Sequence, residues 1–331
     1  MTGRPRDEYA EFDRPARRSR PRTKRRPAHE DAVGGRVVTI DRGRYTCLVG
    51  DGPDTRRVVA TKARRLGRRS VVVGDVAALV GDVSGDDGSL ARIVGVRDRA
   101  TVLRRTADDD DPVERVIVAN ADQLAIVVAL ADPPPRPRLI DRCLVAAYDA
   151  GMTPLLVLTK ADLASADALL ADYRPLGVTA LVTQREDDPE PLHDLLAGRT
   201  TVLVGHSGVG KSTLVNALVP GAGRSTADVN EVTGRGRHTS TSAVALELPW
   251  GGWIIDTPGI RSFGLAHVTP DRILDAFDDL HDTVADCPRG CPHTTGAEDC
   301  ALDEAAGQGR IDAARLASFR RLLDARQGGE D

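Results

Sequence analysis

One stretch constrains this chain more than any other: Gly205-His206-Ser207-Gly208-Val209-Gly210-Lys211-Ser212-Thr213. A short run, Thr201 to Val204, precedes it, and Leu214, Val215 and Leu218 follow at helical spacing. That strand–loop–helix setting turns G-x-x-x-x-G-K-[ST] into a phosphate cradle. The glycines let successive N–H groups turn inward, and the new helix adds its positive end. Lys211 is placed to reach β- and γ-phosphates, and Ser212 to offer a hydroxyl to Mg²⁺.

The strand pattern around this loop is α/β. Leu124 to Leu130 is a continuous apolar run, as expected for a parallel strand covered on both faces. Leu139, Ile140, Cys143, Leu144, Ala147 and Tyr148 then recur at helical spacing, with Cys143 read as core. Gly151 closes that helix, and Pro154 to Leu158 is the next buried strand. At its end stands Thr159-Lys160-Ala161-Asp162, where open α/β sheets bind ligands. A carboxylate there accepts from N1–H and the 2-amino group of guanine, which adenine does not offer. Lys160 can lie along the base plane.

Beyond the phosphate loop, Gly234-Arg235-Gly236-Arg237-His238-Thr239-Ser240-Thr241 has no apolar periodicity and suits a switch that lends a Thr hydroxyl to Mg²⁺. Trp253-Ile254-Ile255 is a strand ending in Asp256-Thr257-Pro258-Gly259. Asp256 is placed to hold Mg²⁺ through water, and the Gly259 N–H to sense the γ-phosphate. These are four of the five guanine-nucleotide motifs; the fifth, near Val182-Thr183, matches poorly. The base-reading motif precedes the phosphate loop, the reverse of the ordinary order. A circularly permuted GTPase domain explains this, because the motifs sit at the same strand ends whichever loop is cut.

Ahead of this domain, Val37–Ile40, Tyr45–Val49, Val58–Ala60, Val71–Val73, Val76–Val80 and Ala91–Val94 read as short strands between Gly and Asp turns. Their spacing predicts a small closed β-barrel. Arg56, Arg57, Lys62, Arg64, Arg65, Arg68 and Arg69 crowd one region of it. An OB-type barrel with a basic loop is a nucleic-acid platform, but Tyr45 is the only aromatic here, so backbone and shape recognition is favoured over base reading. A plain solvated face is the alternative. Residues 1 to about 32 are Pro- and Arg-rich, with eight Lys/Arg and no acid from Arg14 to Arg26. They lack the apolar surface to order themselves, and serve either as a solubilising tail or as an arm for phosphate backbones. A polar, acidic segment from Thr106 to Val113 marks a linker.

The chain ends in a helix-rich tail. Cys287, Cys291, His293 and Cys300 offer three thiolates and an imidazole, a closed tetrahedral Zn²⁺ set of structural type. His281 is a rival ligand. Leu316, Phe319 and Leu323 form a helical apolar stripe, and the acid–base pairs around it read as a solvated face. Five cysteines with three clustered argue for a cytosolic protein with a metal site and not a disulfide framework. No apolar run is long enough to cross a bilayer.

The combination resembles the RsgA family of circularly permuted GTPases over about residues 33 to 326. The resemblance is carried by the barrel, Val204 to Ser212, Gly236-Arg237-His238-Thr239, Asp256 to Gly259 and the Cys-Cys-His-Cys tail. It implies a multidomain chain: basic tail 1–32, OB-fold barrel 33–105, permuted P-loop GTPase domain 106–268, and helical zinc-binding domain 269–331. It also implies GTP/GDP, Mg²⁺ and one structural Zn²⁺ as bound groups, and the small (30S) ribosomal subunit and its rRNA as partners. The implied role is late subunit maturation in the cytoplasm, with subunit-stimulated GTP hydrolysis coupled to release; nothing demands a dimer, so a monomer is expected. Three positions depart from the family pattern. Thr159 stands where Asn is commoner, so nucleotide affinity is expected to change modestly. The zinc spacing is three residues from Cys287 to Cys291 and six from His293 to Cys300. Thr239-Ser240-Thr241 leaves the Mg²⁺ hydroxyl open between Thr239 and Thr241. Separately, Ile260 stands where many GTPases place a water-orienting Gln, so slow intrinsic hydrolysis is expected, with the missing group supplied on the ribosome by RNA, a K⁺ ion or His238. The rivals are a large-subunit permuted GTPase, a nucleotide-gated RNA-binding protein and, disfavoured by Asp162, an ATPase.

Overall fold

The computed structural model describes residues 29, 31–67, 71–106, 114–185, 190–223, 243–257, 264–265 and 267–326. The first five strands are β1 (Val33–Asp41), β2 (Arg44–Val49), β3 (Arg56–Lys62), β4 (Val76–Gly81) and β5 (Ala91–Val96). They close in the order β1-β2-β3-β5-β4-β1, with β3 and β5 parallel and every other neighbour antiparallel. That is the topology of an OB-fold barrel. Alternation puts Tyr45, Cys47 and Val49 of β2 inward, against Val37, Val58, Ala77, Leu79 and Ile93.

Val71 to Val73, expected as a strand, is not one. The run is apolar because it is buried, not because it is paired along a ladder. Asp75 explains the turn that follows. Its carboxylate accepts from Val72 N at 2.8 Å, and its carbonyl accepts from Val37 N at 2.8 Å. Gly74, at φ +91°, passes so close to Ala119 that a Cβ would sit 1.9 Å from its carbonyl oxygen. Only glycine fits there.

A hairpin follows, β6 (Val102–Arg105) with β7 (Arg115–Ala119), and the polar segment expected as a linker lies between its strands. Residues 107–113 of that segment lie outside the described residues. The alternating part then runs β8 (Gln123–Ala129), α1 (Pro137–Asp149), β9 (Thr153–Thr159), α2 (Asp167–Tyr173), β10 (Thr179–Val182), α3 (Glu190–Leu196), β11 (Thr200–Val204) and α4 (Lys211–Leu218). After it come β12 (Val244–Glu247), β13 (Trp253–Asp256), α5 (Pro270–Leu274), α6 (Asp278–Val284), α7 (Ala301–Gly307) and α8 (Ala313–Arg326).

Strands β10-β9-β8-β11-β13 form a parallel sheet, with β12 antiparallel at the β13 edge. Every residue of β8 is buried, and alternate ones serve opposite faces. Ile126 and Val128 pack towards α1 and the tail, whereas Ala125 and Val127 pack with Leu192 and Leu196 of α3 and Val215 of α4. The sheet continues into the barrel through Thr39 of β1 opposite Val244 of β12. Arg36 reinforces the seam, donating to Thr200 Oγ1 at 3.4 Å and lying 5.5 Å over the Trp253 ring. Asp75 is fully buried and takes a two-pronged bond from Arg99, at 2.7 and 2.8 Å.

Tail helix α8 buries Leu316, Phe319 and Leu323, as its stripe predicts. The charges around that stripe are not the solvated face expected. Arg315, Arg320 and Arg321 bond to Asp279, Asp303 and Asp141 on three other helices. Long guanidinium stems make this possible, since they pack as apolar chains while their forks find carboxylates. Among the described residues no helix is long and apolar enough to cross a membrane.

Candidate nucleotide site and metal cluster

The phosphate loop joins β11 to α4 at the middle of the sheet. Gly205 leaves β11 so close to β8 that a Cβ would lie 2.5 Å from Val127 O. Gly210 takes φ +91° and caps α4, which opens with Lys211. The loop glycines therefore answer to backbone geometry, as their pattern predicts. Ser207 and Gly208 are exposed at the rim, Val209 is buried beneath, and His206, Ser212 and Thr213 are half-buried.

Lys211 Nζ lies 3.9 Å from Asp256 Oδ1 and 3.5 Å from the Thr257 carbonyl. Asp256 is the last residue of β13, and its side chain is 7% exposed. Thr257 Oγ1 donates back to Leu203 O at 2.7 Å, locking the tip of β13 to β11. The buried Asp256 carboxylate and the Ser212 hydroxyl in the first turn of α4 are oxygen donors that fit Mg²⁺ beside phosphates, with Lys211 a cation for the phosphates themselves.

At the end of β9, two strands from β11, Thr159 does something its motif position does not announce. Its buried hydroxyl donates to Val209 O at 2.6 Å, with a longer contact of 3.3 Å to Val128 O. It thus ties the base-reading loop to the phosphate loop. Lys160, at φ +60°, donates to the Asp132 carbonyl, while Asp162 is exposed in the following turn. Ala161 N donates to Thr183 O at 3.3 Å, so the poorly matching Val182-Thr183 does lie beside the base-reading loop. His238, Thr239, Thr241, Gly259 and Ile260 lie outside the described residues.

In the tail, the candidate ligand atoms of Cys287, Cys291, His293 and Cys300 all lie within 4.8 Å of one another. His293 Nδ1 is 3.7 Å from Cys287 Sγ and 4.0 Å from Cys300 Sγ. Donors around a tetrahedral zinc ion, with arms of about 2.1 to 2.3 Å, stand about 3.6 Å apart, so the cluster fits one. Burial, followed by the neighbouring Cys300 and Cys291 thiols, pushes the Cys287 thiol above its ordinary value. A divalent ion inverts that preference. His281, the rival ligand, instead faces Asp275 at 3.6 Å on the exposed side of α6. Sequence reasoning missed Arg320, whose guanidinium stands behind the cluster. An arginine on a helical stripe edge carries no metal signal of its own.

A phosphate loop at the central strand, a Lys–Asp pair beside it and the Thr159–Asp162 motif two strands away, in permuted chain order, define a circularly permuted P-loop GTPase. The chain belongs to the RsgA GTPase family, whose family model matches residues 96–266. A relative from Chlorobaculum parvum (strain DSM 263 / NCIMB 8327), named small ribosomal subunit biogenesis GTPase RsgA, is 36% identical over 89% of this chain and 98% of its own. Another of the same name, from Ectopseudomonas mendocina (strain ymp), is 45% identical, with 62% of each chain covered. Among solved structures, YjeQ from Thermotoga maritima matches with TM-score 0.63 and 24% identity, over 90% of this chain and 99% of that one. YloQ, described as a circularly permuted GTPase, matches with TM-score 0.64 and 22% identity, over 92% and 98%. These two show the fold.

Proposed function

We propose that this chain is a GTP hydrolase that binds the small ribosomal subunit and its rRNA and assists late maturation of that subunit. Subunit binding stimulates hydrolysis, and release follows it. The observation that carries the reading is the joining of the phosphate-loop sheet and a basic OB barrel in one continuous sheet. Arg57 and Arg64 are exposed on that barrel, suited to phosphate backbones. The kinship with proteins named for small-subunit biogenesis supports the partner. The working divisions are a basic arm to 32, barrel 33–105, GTPase domain 106–268 and zinc domain 269–331, in a cytoplasmic monomer.

In this reading the guanine edge meets Asp162, with Lys160 along the base and Ala161 beside it. Phosphates lie against the N–H groups of Gly205 to Thr213, and Lys211 neutralises the β- and γ-phosphates. Mg²⁺, when bound, draws charge from the phosphates undergoing transfer; Ser212, Asp256 through water, and Thr239 or Thr241 are its holders. Gly259 N–H reads the γ-phosphate, and His238 is the candidate to orient water in place of the aliphatic Ile260. Cys287, Cys291, His293 and Cys300 hold a structural Zn²⁺.

Multiple-turnover GTP hydrolysis, measured alone and with purified small subunits, tests this, with ATP and large subunits as controls. Stimulation confined to GTP and small subunits is expected. Guanine nucleotide binding without any stimulation would move the chain to a nucleotide-gated RNA-binding protein. An undiminished stimulated rate in His238→Ala would remove His238 from the mechanism.

A further inference from the structure

We infer that Arg320 is a positioning residue of the Cys287–Cys291–His293–Cys300 centre, an inference that rests on the metal reading proposed above. Arg320 lies on α8, with its side chain 11% exposed. Its Nε donates to the His293 carbonyl at 3.0 Å. Nη1 and Nη2 grip the Asp303 carboxylate at 2.7 and 2.8 Å, and Nη2 also stands 3.9 Å from Cys300 Sγ. One guanidinium therefore touches the backbone of one candidate ligand and the sulfur of another.

The backbone of His293 needs such a hold. Its φ is +56°, in the left-handed region that a β-carbon disfavours. Such residues persist only where their surroundings over-determine them. That unusual turn brings Nδ1 to within 4.0 Å of two sulfurs, and Arg320 is the side chain bonded to its carbonyl. Charge supplies the second reason. Three thiolates, a neutral imidazole and a divalent ion sum to one negative charge in a partly buried place, and a fixed cation at a sulfur offsets it. Asp303 supplies the third. It sits in the first turn of α7, immediately after Cys300, and its bidentate grip fixes the arginine in one rotamer. The Ala301 N–H in the same turn donates to Cys287 Sγ at 3.3 Å. Sulfurs, strained carbonyl and carboxylate thus form one connected frame around the ion's place.

Lysine carries the charge without the fork, and methionine keeps the stem without the charge. The test uses the full chain as wild type, Arg320→Met, Arg320→Lys and Asp303→Asn. Zn²⁺ affinity is read by competition with a chromophoric chelator, and coordination by the absorption spectrum of the Co²⁺-loaded protein. Outer-shell losses of this kind weaken metal binding by about 10- to 100-fold. That loss is expected for Arg320→Met, with an altered Co²⁺ spectrum and with GDP affinity unchanged. Arg320→Lys should recover part of the affinity, and Asp303→Asn should lose several-fold while leaving the bond to His293. Wild-type affinity and spectrum in Arg320→Met overturn the inference alone, as does unchanged affinity in Asp303→Asn should Arg320→Met fail to fold. A wild-type chain that takes up neither ion overturns the metal reading and this inference together.

Discussion

At the scale of single residues, Thr159 separates what a motif announces from what a side chain does. The motif places it at the base; the structure has its hydroxyl hold Val209 of the phosphate loop. Asn and Thr are alike in the one respect that matters for this, a short polar group able to donate to a carbonyl. Thr159→Val leaves a buried carbonyl without its donor, a cost of about 1 to 3 kcal/mol. GDP affinity should fall by roughly 10-fold, while the preference for GDP over ADP stays. Thr159→Asn should restore the affinity. Titration with a fluorescent guanine nucleotide checks this, and a dissociation constant within twofold of wild type in Thr159→Val would sink it. The meeting of Lys211 and Asp256 was legible in the sequence because the chemistry and spacing of their motifs are both specific. The bond from Thr159 was not, since its partner lies 50 residues away along the chain.

At the scale of elements, α8 joins the tail to the nucleotide-binding sheet. Arg321 bonds Asp141 of α1 at 3.1 Å and lies 4.9 Å over the Tyr173 ring. Arg315 grips Asp279 of α6 and donates to Pro175 O at 2.9 Å. Arg142 of α1 returns the contact, donating to Ala325 O at 2.9 Å. Periodicity located this helix and its apolar stripe, and likewise α1 and the buried strand β8. Carboxylate partners on three other helices leave no trace in a local pattern, so the charges read as solvated. Val71 to Val73 misled for a related reason: burial makes a run apolar whether or not it joins a ladder.

These pairs set an acid limit for the tail. The hydrogen bond from Arg315 holds Asp279 below its ordinary value, and that from Arg320 does the same for Asp303. A depressed folded-state value means stability that is fully present above the ordinary carboxylate value of 3.8 and lost as pH falls through the folded value. Asp279→Asn should therefore lower the Tm at pH 7 and lose its effect once the wild-type carboxylate is protonated. Thermal unfolding followed from pH 7 down into the acid range below 3.8 tests this; a Tm difference that persists unchanged in acid would refute it.

At the scale of the whole molecule, the barrel is held to the sheet by Thr39 opposite Val244 and by Arg36 on Trp253, and the Asp75–Arg99 pair braces the barrel's own turns. Barrel, sheet and tail were each legible, because strand spacing and nucleotide motifs are local signals. Their joining was not, because each tie couples residues far apart in sequence. Arg99→Leu leaves the fully buried Asp75 without its cation. Arg99 keeps 20% exposure, so the cost belongs near the low end for a broken buried pair, about 3 kcal/mol. The Tm should drop on the order of 5 °C, and the Asp75→Asn, Arg99→Leu double variant should recover part of it. Equal losses in the single and double variants, read by calorimetry, would show that the pair contributes nothing of its own.

The seam between β1 and β12 bears on the order in which the chain is made. β1 leaves the ribosome early, whereas β12 is synthesised roughly two hundred residues later, on the order of tens of seconds at ordinary elongation rates. For that interval the newborn barrel carries a free strand margin at Thr39. The margin is short and ends at Asp41 and Arg42, charged residues of the kind that discourage stray pairing. A chain with its base-reading half ahead of its phosphate-binding half thus emerges with its last zipper position already guarded.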